Sequence, residues 1–243
     1  MKRGTRSQGR DTHAGRAAGV LLLSGFAPFG GERSNPSWEV AALLDGREIG
    51  GLAVKVVKLP VSTPRAVRAI AAAIRRFHPR AVLGLGQAGG RPSISLEKVA
   101  INLAERRAGR ESDGGVAGTP VVSGGADALF ARLPLAAILR ALERRGIPAT
   151  LSLSAGAYVC NAVMYATLHT LRSRPEVAAG FIHLPYAASQ AVRHRQTPSM
   201  TLEMMTAAVE ATAAVIAREA LASRAHPRST RKRGPRGRPP GPA

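Results

Sequence analysis

The chain has 243 residues, a formal net charge of +20 and a single cysteine. This length suits one domain of ordinary size with a substantial hydrophobic core. Its longest apolar runs, such as Val20–Leu23, fall far short of the roughly 20 residues that a membrane-spanning helix needs. Pro28 and nearby glycines interrupt that first run, which argues against a secretory signal. One cysteine cannot form an internal disulfide, and this favours a cytoplasmic location.

Much of the positive charge lies at the two ends of the chain. Residues 224–243 hold seven Arg and Lys and no acid, and residues 1–19 hold five against one Asp. We expect a basic disordered extension over residues 1–18 and a Pro/Gly-rich disordered tail over residues 224–243, flanking one domain over residues 19–223. Such tails make nonspecific contacts with polyanions, so specific nucleic-acid binding is an unfavoured alternative.

Between these ends, short β-like runs alternate with helical patterns. The predicted strands are Val20–Ser24, Leu52–Leu59, Ala81–Gly86, Ile94–Leu103, Ala149–Leu153 and Ala179–Leu184. The predicted helices are Pro36–Leu44, Pro64–Phe77, Pro134–Arg145, Ala157–Leu171 and Leu202–Ser223. Three of them open with a proline near the first helical position. This order predicts an α/β fold with helices on both faces of a sheet, and chemistry at the carboxyl ends of its strands.

The stretch GLGQAGG contains the spacing G-x-G-x-x-G at Gly84, Gly86 and Gly89. A dinucleotide site would need a helix to open directly after these glycines. The next residues, ISLEKVAIN, instead alternate like a strand. The glycines therefore indicate either a structural turn or a place where bare backbone approaches another ligand.

The lone cysteine, Cys160, follows a predicted strand and a small-residue turn, and lies near the start of a predicted helix. There the helix dipole and free N–H groups favour a thiolate. Burial as a small core residue is an equally good interpretation from position alone.

A nucleophilic thiol needs a base, and His183 is the best placed of the six histidines because it lies at the carboxyl end of a predicted strand. His169 shares the helix of Cys160, but nine residues place it on the opposite face. Glu97 could orient the base, since strand periodicity puts it on the apolar face of Val99 and Ile101. A structural ion pair would explain Glu97 equally well.

Four stretches, FAPFGGERSNPSWEV, GQAGGRPSISLEKVAIN, SAGAYVCNAV and GFIHLPY, together resemble the conserved blocks of the pyroglutamyl peptidase I family. They occur in the family's order, between about residues 20 and 215. The resemblance implies an α/β/α sandwich with a mostly parallel or mixed sheet, usually assembled as a homotetramer. It implies an enzyme that removes N-terminal pyroglutamate from peptides and uses no metal or organic cofactor.

The resemblance also implies roles for individual residues. Carried over by motif, Cys160 is the nucleophile, His183 the general acid/base, and Glu97 the group that orients the imidazole. The residues implied in substrate binding are Phe26 and Phe29, which flank the lactam ring, Gln87, whose backbone contacts it, and Arg107, Tyr158 and Val159. GLGQAGG is thereby interpreted as the turn that lets main chain approach the ring.

One segment departs from the family pattern. Residues 106–115 read RRAGRESDGG where the family has an Ile-Pro-Asp-Asn loop beside the substrate. This departure leaves a related cysteine amidase with another small acyl substrate as an alternative. The basic tails leave a second one, a polyanion-binding protein on a peptidase scaffold.

Overall fold

A computed structural model describes residues 17–104 and 118–225 of the chain. The strands are β1 (Val20–Phe26), β2 (Glu48–Ile49), β3 (Leu52–Leu59), β4 (Ala81–Gln87), β5 (Ile94–Glu97), β6 (Val99–Ile101), β7 (Ala128–Phe130), β8 (Ala149–Ser152), β9 (Ala178–Leu184), β10 (Tyr186–Ala187) and β11 (Ser199–Met200). The helices are α1 (Pro36–Leu44), α2 (Thr63–Phe77), α3 (Leu135–Glu143), α4 (Val159–Thr170), α5 (Ala188–Ala191) and α6 (Leu202–Ala225).

Seven strands form one mixed sheet in the order β2-β3-β1-β4-β9-β5-β8. β3, β1, β4 and β9 are mutually parallel, whereas β5 is antiparallel to β9 and parallel to β8. From β1 the chain passes through α1 to β3 and returns through α2 to β4, so the connections diverge between β1 and β4. Ligands of open α/β sheets bind at the carboxyl ends of strands at such a point.

Two hydrophobic clusters cover the two faces of the sheet. The first contains buried side chains of α1, α3 and α6, among them Val40, Ile138 and Ile216. The second contains side chains of α2 and α4, among them Ile70 and Tyr165. The predicted α/β fold with helices on both faces is thus confirmed.

The predicted strand Ile94–Leu103 is wrong as a single element. The chain leaves the main sheet after Glu97, and Val99–Ile101 pairs with β7 in a separate two-stranded sheet. Strand periodicity therefore does not carry from Glu97 to Val99 and Ile101. Glu97 is fully buried, whereas Ile101 is exposed. Another small correction is Pro134, which is the N-cap of α3 rather than its first helical residue.

Several predictions fall outside the described residues. These are nearly all of both basic ends, the departing segment 106–115, and the substrate-binding residue Arg107. Within residues 17–104 and 118–225, no helix has the length and apolar character required to cross a membrane.

Candidate active site

The antiparallel pairing of β5 with β9 brings Glu97 to His183. Ser95 lies opposite His183 and Glu97 lies opposite Phe181, so Glu97 and His183 are diagonal neighbours on one face of the sheet. Glu97 Oε1 accepts a hydrogen bond from His183 Nδ1 at 2.7 Å, and both side chains are buried. This bond fixes the orientation of the imidazole and leaves Nε2 as its other nitrogen.

Contacts to Glu97 keep its carboxyl group ionised. Burial raises the pKa of Glu97, but the hydrogen bond and charge of His183, with a contribution from Arg91, outweigh burial. The pKa of Glu97 therefore lies below its ordinary value. An ionised carboxylate is the state that an orienting group requires.

The glycines of GLGQAGG make room for aromatic side chains of the protein itself. Gly84 and Gly86 on β4 lie opposite Phe181 and His183 on β9. A Cβ on Gly84 would lie 2.3 Å from the Phe181 ring, and one on Gly86 would lie 2.9 Å from His183 Cδ2. A Cβ on Gly89 would lie 2.1 Å from the Tyr186 ring. The expectation that these glycines bare the backbone for a ligand is thus wrong in its physical reason.

The element that comes after GLGQAGG also excludes a dinucleotide site of the expected kind. After the turn at Gly89 and Gly90 the chain enters strand β5 rather than a helix. Gly90 has a φ of +90°, and a turn of this kind favours glycine. The structural-turn interpretation is therefore confirmed for the end of the stretch.

Cys160 is the second residue of α4, as its position in the sequence predicted. The residue after it, Asn161, is fully buried and anchors this first turn. Asn161 Oδ1 accepts from the backbone N–H of Ile101, and Nδ2 donates to the carbonyls of Ile101 and Leu103, all at 2.9 Å. The Cys-Asn pair thus combines a thiol with a fixed helix start.

The helix start does not by itself produce a thiolate. Burial raises the pKa of the Cys160 thiol to about 12, and the nearby charge of Glu97 acts in the same direction, against a smaller opposing effect of Arg91. The expectation that the helix dipole makes the thiolate dominant is therefore wrong. A protonated thiol needs a base to take its proton during attack.

One cavity of about 410 Å³ brings together most of the predicted site. Its lining includes the catalytic candidates Cys160 and His183. It also includes all the predicted substrate-binding residues within the described chain: Phe26, Phe29, Gln87, Tyr158 and Val159. Glu97 lies behind His183 rather than on the cavity surface. The cavity opens at the carboxyl ends of β1, β4 and β9, as the fold class predicted.

Asn35 and Ser37 hold Phe26 at this cavity. Ser37 Oγ accepts a hydrogen bond from the backbone N–H of Phe26 at 3.0 Å and donates one to Asn35 Oδ1 at 2.8 Å. Asn35 also caps α1 through the N–H of Ser37 and donates to the carbonyl of Ala27. The sequence SNPS, a helix N-cap signature, therefore also positions one wall of the site.

Sequence reasoning missed Arg91, although it lies inside the stretch GQAGGRPSISLEKVAIN. Arg91 Nη1 donates to Glu97 Oε1 at 2.7 Å, and Nη2 donates to the carbonyl of Ser154 at 3.4 Å. Its side chain also lines the cavity. The signal that could have revealed it is a buried carboxylate six residues away, which needs a cationic partner.

Sequence reasoning also missed a cluster around Glu32 at the cavity edge. Glu32 accepts from Arg193 Nη2 and, at 2.7 Å, from His194 Nε2, and the His194 ring stacks on Tyr186 with centroids 4.1 Å apart. Tyr186 lines the cavity, as does Phe29. The hydrogen bond from Arg193, followed by that from His194, lowers the pKa of Glu32 to about 2. No sequence signal connects residues so distant along the chain.

A cysteine at a helix start, placed in one cavity with a histidine–carboxylate pair, is the arrangement typical of cysteine hydrolases. Comparison with known proteins identifies the particular group. The pyroglutamyl peptidase family matches residues 20–219, and the chain belongs to that family.

Individual relatives are similar over most of their length. The chain is 45% identical to the pyrrolidone-carboxylate peptidase of Klebsiella pneumoniae (strain 342) over 207 residues, 85% of this chain and 96% of the relative. The crystal structure of Bacillus amyloliquefaciens pyroglutamyl peptidase I covers 82% of this chain and 97% of its own, with a TM-score of 0.79 and 34% identity. Pyrrolidone carboxyl peptidase from Pyrococcus furiosus gives a TM-score of 0.79 and 36% identity, over 83% of this chain and 99% of its own.

Proposed function

We propose that this chain hydrolyses the amide bond that follows an N-terminal pyroglutamyl residue, with Cys160 as nucleophile, His183 as general acid/base and Glu97 as the group that orients His183. The observation that carries the proposal is that Cys160 and the hydrogen-bonded His183–Glu97 pair meet at one cavity. Membership of the pyroglutamyl peptidase family supports the choice of substrate.

The first half of the reaction is acyl transfer to the enzyme. Because the thiol is protonated at rest, His183 Nε2 takes its proton as Cys160 Sγ attacks the carbonyl carbon that links pyroglutamate to the next residue. The new S–C bond gives a tetrahedral intermediate with a negatively charged oxygen. Collapse of this intermediate breaks the C–N bond, and His183 returns the proton to the leaving amine. The product is a thioester on Cys160 and a shortened peptide.

The second half releases the acyl group. His183 takes a proton from water, whose oxygen attacks the thioester carbonyl. The S–C bond then breaks, free pyroglutamate leaves, and the proton returns to sulfur. Glu97 stays ionised and stabilises the imidazolium in both halves.

Backbone N–H groups at the start of α4 are suited to stabilise the oxyanion. The first N–H groups of a helix have no partner within the helix and lie at the positive end of its dipole. The N–H of Cys160 belongs to this group because Cys160 is the second residue of α4. Arg107, which lies outside the described residues, is a further donor that the family resemblance implies. Each such donor typically contributes on the order of 100-fold to the rate.

Recognition of the lactam ring is assigned to an apolar cavity with few polar groups. Phe26 and Phe29 line the cavity, as do Tyr158 and Val159, which precede the nucleophile. Gln190 Nε2 donates to Gln87 Oε1 at 3.3 Å, which engages that side chain and directs recognition to main-chain groups. A pyroglutamyl residue has no free α-amine, so it suits a cavity whose described lining holds no carboxylate.

The deciding experiment measures release of a fluorophore from pyroglutamyl-aminomethylcoumarin. We expect wild-type activity that is lost in Cys160→Ala and Cys160→Ser, and lost in wild type after alkylation of its single thiol. The open-ring glutaminyl and the prolyl coumarin amides are matched control substrates. Hydrolysis of another acyl amide in preference to the pyroglutamyl one would favour the amidase alternative. Full activity after complete alkylation would end the cysteine mechanism.

We also propose that the protein is cytoplasmic and assembles as a homotetramer. Surface apolar side chains support assembly, since Leu151 and Leu153 lie exposed on or beside the edge strand β8, and Phe130 on β7 is 64% exposed. Size-exclusion chromatography with light scattering would measure the assembly. A monomer at micromolar concentration would contradict it.

A further inference from the structure

We infer that Arg91 is a positioning residue for the catalytic pair: it holds Glu97 in its ionised form while His183 is neutral, and ties Glu97 to the turn that leads into the nucleophile helix. This inference rests on the proposed function, because it assigns Arg91 a task in that same site.

The first argument concerns the charge around Glu97. Its side chain is fully buried, and an isolated buried carboxylate tends to take up a proton. His183 is a counter-charge only when it is protonated. It must be neutral in order to accept the proton of the thiol. At that stage Arg91 is, among the described residues, the one permanently charged group that hydrogen-bonds to Glu97.

The second argument concerns geometry. Both hydrogen bonds, from Arg91 Nη1 and from His183 Nδ1, are 2.7 Å long and end on the same oxygen, Oε1. Oε2 has no hydrogen-bond partner among the described residues. Loss of Arg91 would therefore leave Oε1 held by His183 alone, and His183 would lose part of the fixed acceptor that orients it.

The third argument connects this pair to the nucleophile. The second nitrogen of Arg91, Nη2, donates to the carbonyl of Ser154. Ser154 belongs to the turn before α4, where its Oγ accepts from the N–H of Gly156. Arg91 therefore spans the carboxylate on β5 and the turn that places Cys160. The ionisable groups around Glu97 are then His183 on β9, Arg91 before β5, and Cys160 on α4.

The test compares Arg91→Gln, Arg91→Lys and wild type by the pH profile of kcat/KM on pyroglutamyl-aminomethylcoumarin. In Arg91→Gln the carboxyl group loses a cationic partner, so Glu97 protonates at a higher pH. We expect the acid limb to move up by about one pH unit and kcat to fall at least tenfold, with KM within about threefold. Arg91→Lys keeps the charge, so its acid limb should lie near that of wild type.

Glu97→Gln supplies a second test that does not depend on the fold tolerating an unpaired carboxylate. If Arg91 acts through Glu97, adding Arg91→Gln to Glu97→Gln should change kcat/KM by less than about twofold. The matched control is Arg47→Gln, which breaks an exposed 2.5 Å pair with Glu210 outside the cavity and should leave kcat/KM within about twofold.

The pH dependence of Cys160 alkylation gives a readout that needs no substrate. It should show the same upward shift in Arg91→Gln, even if the wild type proves inactive on pyroglutamyl amides and the proposed function fails. The inference is overturned if Arg91→Gln lowers activity without moving either acid limb, or if its effect is as large in the Glu97→Gln background as in wild type.

Discussion

Replacing Asn161 with alanine removes the amide that fixes the start of the nucleophile helix. That amide makes three hydrogen bonds of 2.9 Å to the backbone of Ile101 and Leu103. Alanine has no group to replace any of them. The variant therefore leaves one N–H and two carbonyl groups of this segment without their side-chain partner.

The structure sets the size of the effect. At about 1 kcal/mol of net stability for each hydrogen bond, the three bonds amount to about 3 kcal/mol. For a domain of this size, 1 kcal/mol corresponds to about 2–4 °C in the melting temperature, so we expect a decrease of about 6–12 °C. Because Cys160 precedes Asn161, a shifted helix start also misplaces the thiol. A displacement of about 1 Å can cost about 100-fold in rate.

Thermal unfolding followed by circular dichroism measures the first effect, and kcat/KM on a pyroglutamyl amide below the transition measures the second. Thr206→Ala is the control, since it removes one side-chain bond of 2.7 Å to the carbonyl of Leu202 within α6. We expect that control to lose at most a few degrees and no activity. Equal melting temperatures for the two variants, or wild-type kcat/KM in Asn161→Ala, would refute the reasoning.

Two further predictions concern regions beyond the catalytic pair. Glu32→Gln should raise KM at least threefold with kcat little changed, because Glu32 holds Arg193 and His194 beside Tyr186 at the cavity edge. The pKa of Glu32 is lowered to about 2, so this contribution is complete above the ordinary glutamate pKa and is lost only as the pH falls through about 2; KM of the wild type should owe no pH dependence between pH 5 and 8 to this carboxyl, and equal KM values in the two proteins would contradict the assignment. Deleting residues 226–243 should leave turnover within about twofold and reduce retention on heparin, since their basic, Pro/Gly-rich composition predicts a tail that contacts polyanions. A large loss of turnover with unchanged assembly would show that the tail reaches the site.

Most of the fold could be predicted from the sequence because its main elements carry strong patterns. Leu52–Leu59 and Pro36–Leu44 were predicted with the bounds that the structure has. The prediction was wrong for Ile94–Leu103, where the run of apolar residues continues across Lys98 although the backbone changes sheets. Nothing local marks that change, because the pairing partner of Val99–Ile101 lies about thirty residues further along the chain. Two-residue strands such as β2 were missed because they have no periodicity to detect.

The catalytic candidates could be nominated from the sequence because each lies at a recognisable end of an element. Cys160 follows a small-residue turn, and His183 ends an apolar strand. The protonation of the thiol could not be predicted in this way. It depends on burial and on the charge of Glu97, which an isolated helix start does not contain. Arg91 and the Glu32 cluster were missed for a similar reason, since their roles come from contacts across the fold.

The physical role of the glycines connects the fold to the chemistry. On β4, Gly84 and Gly86 lie opposite Phe181 and His183 on β9, where any Cβ would collide with these rings. The His183 imidazole, buried on this face, is then within reach of the buried carboxylate on β5. A side chain at Gly86 would displace the base rather than obstruct the substrate. The absence of side chains at these two positions of β4 thus contributes to catalysis by positioning His183, and a variant at Gly86 should lower kcat more than it raises KM.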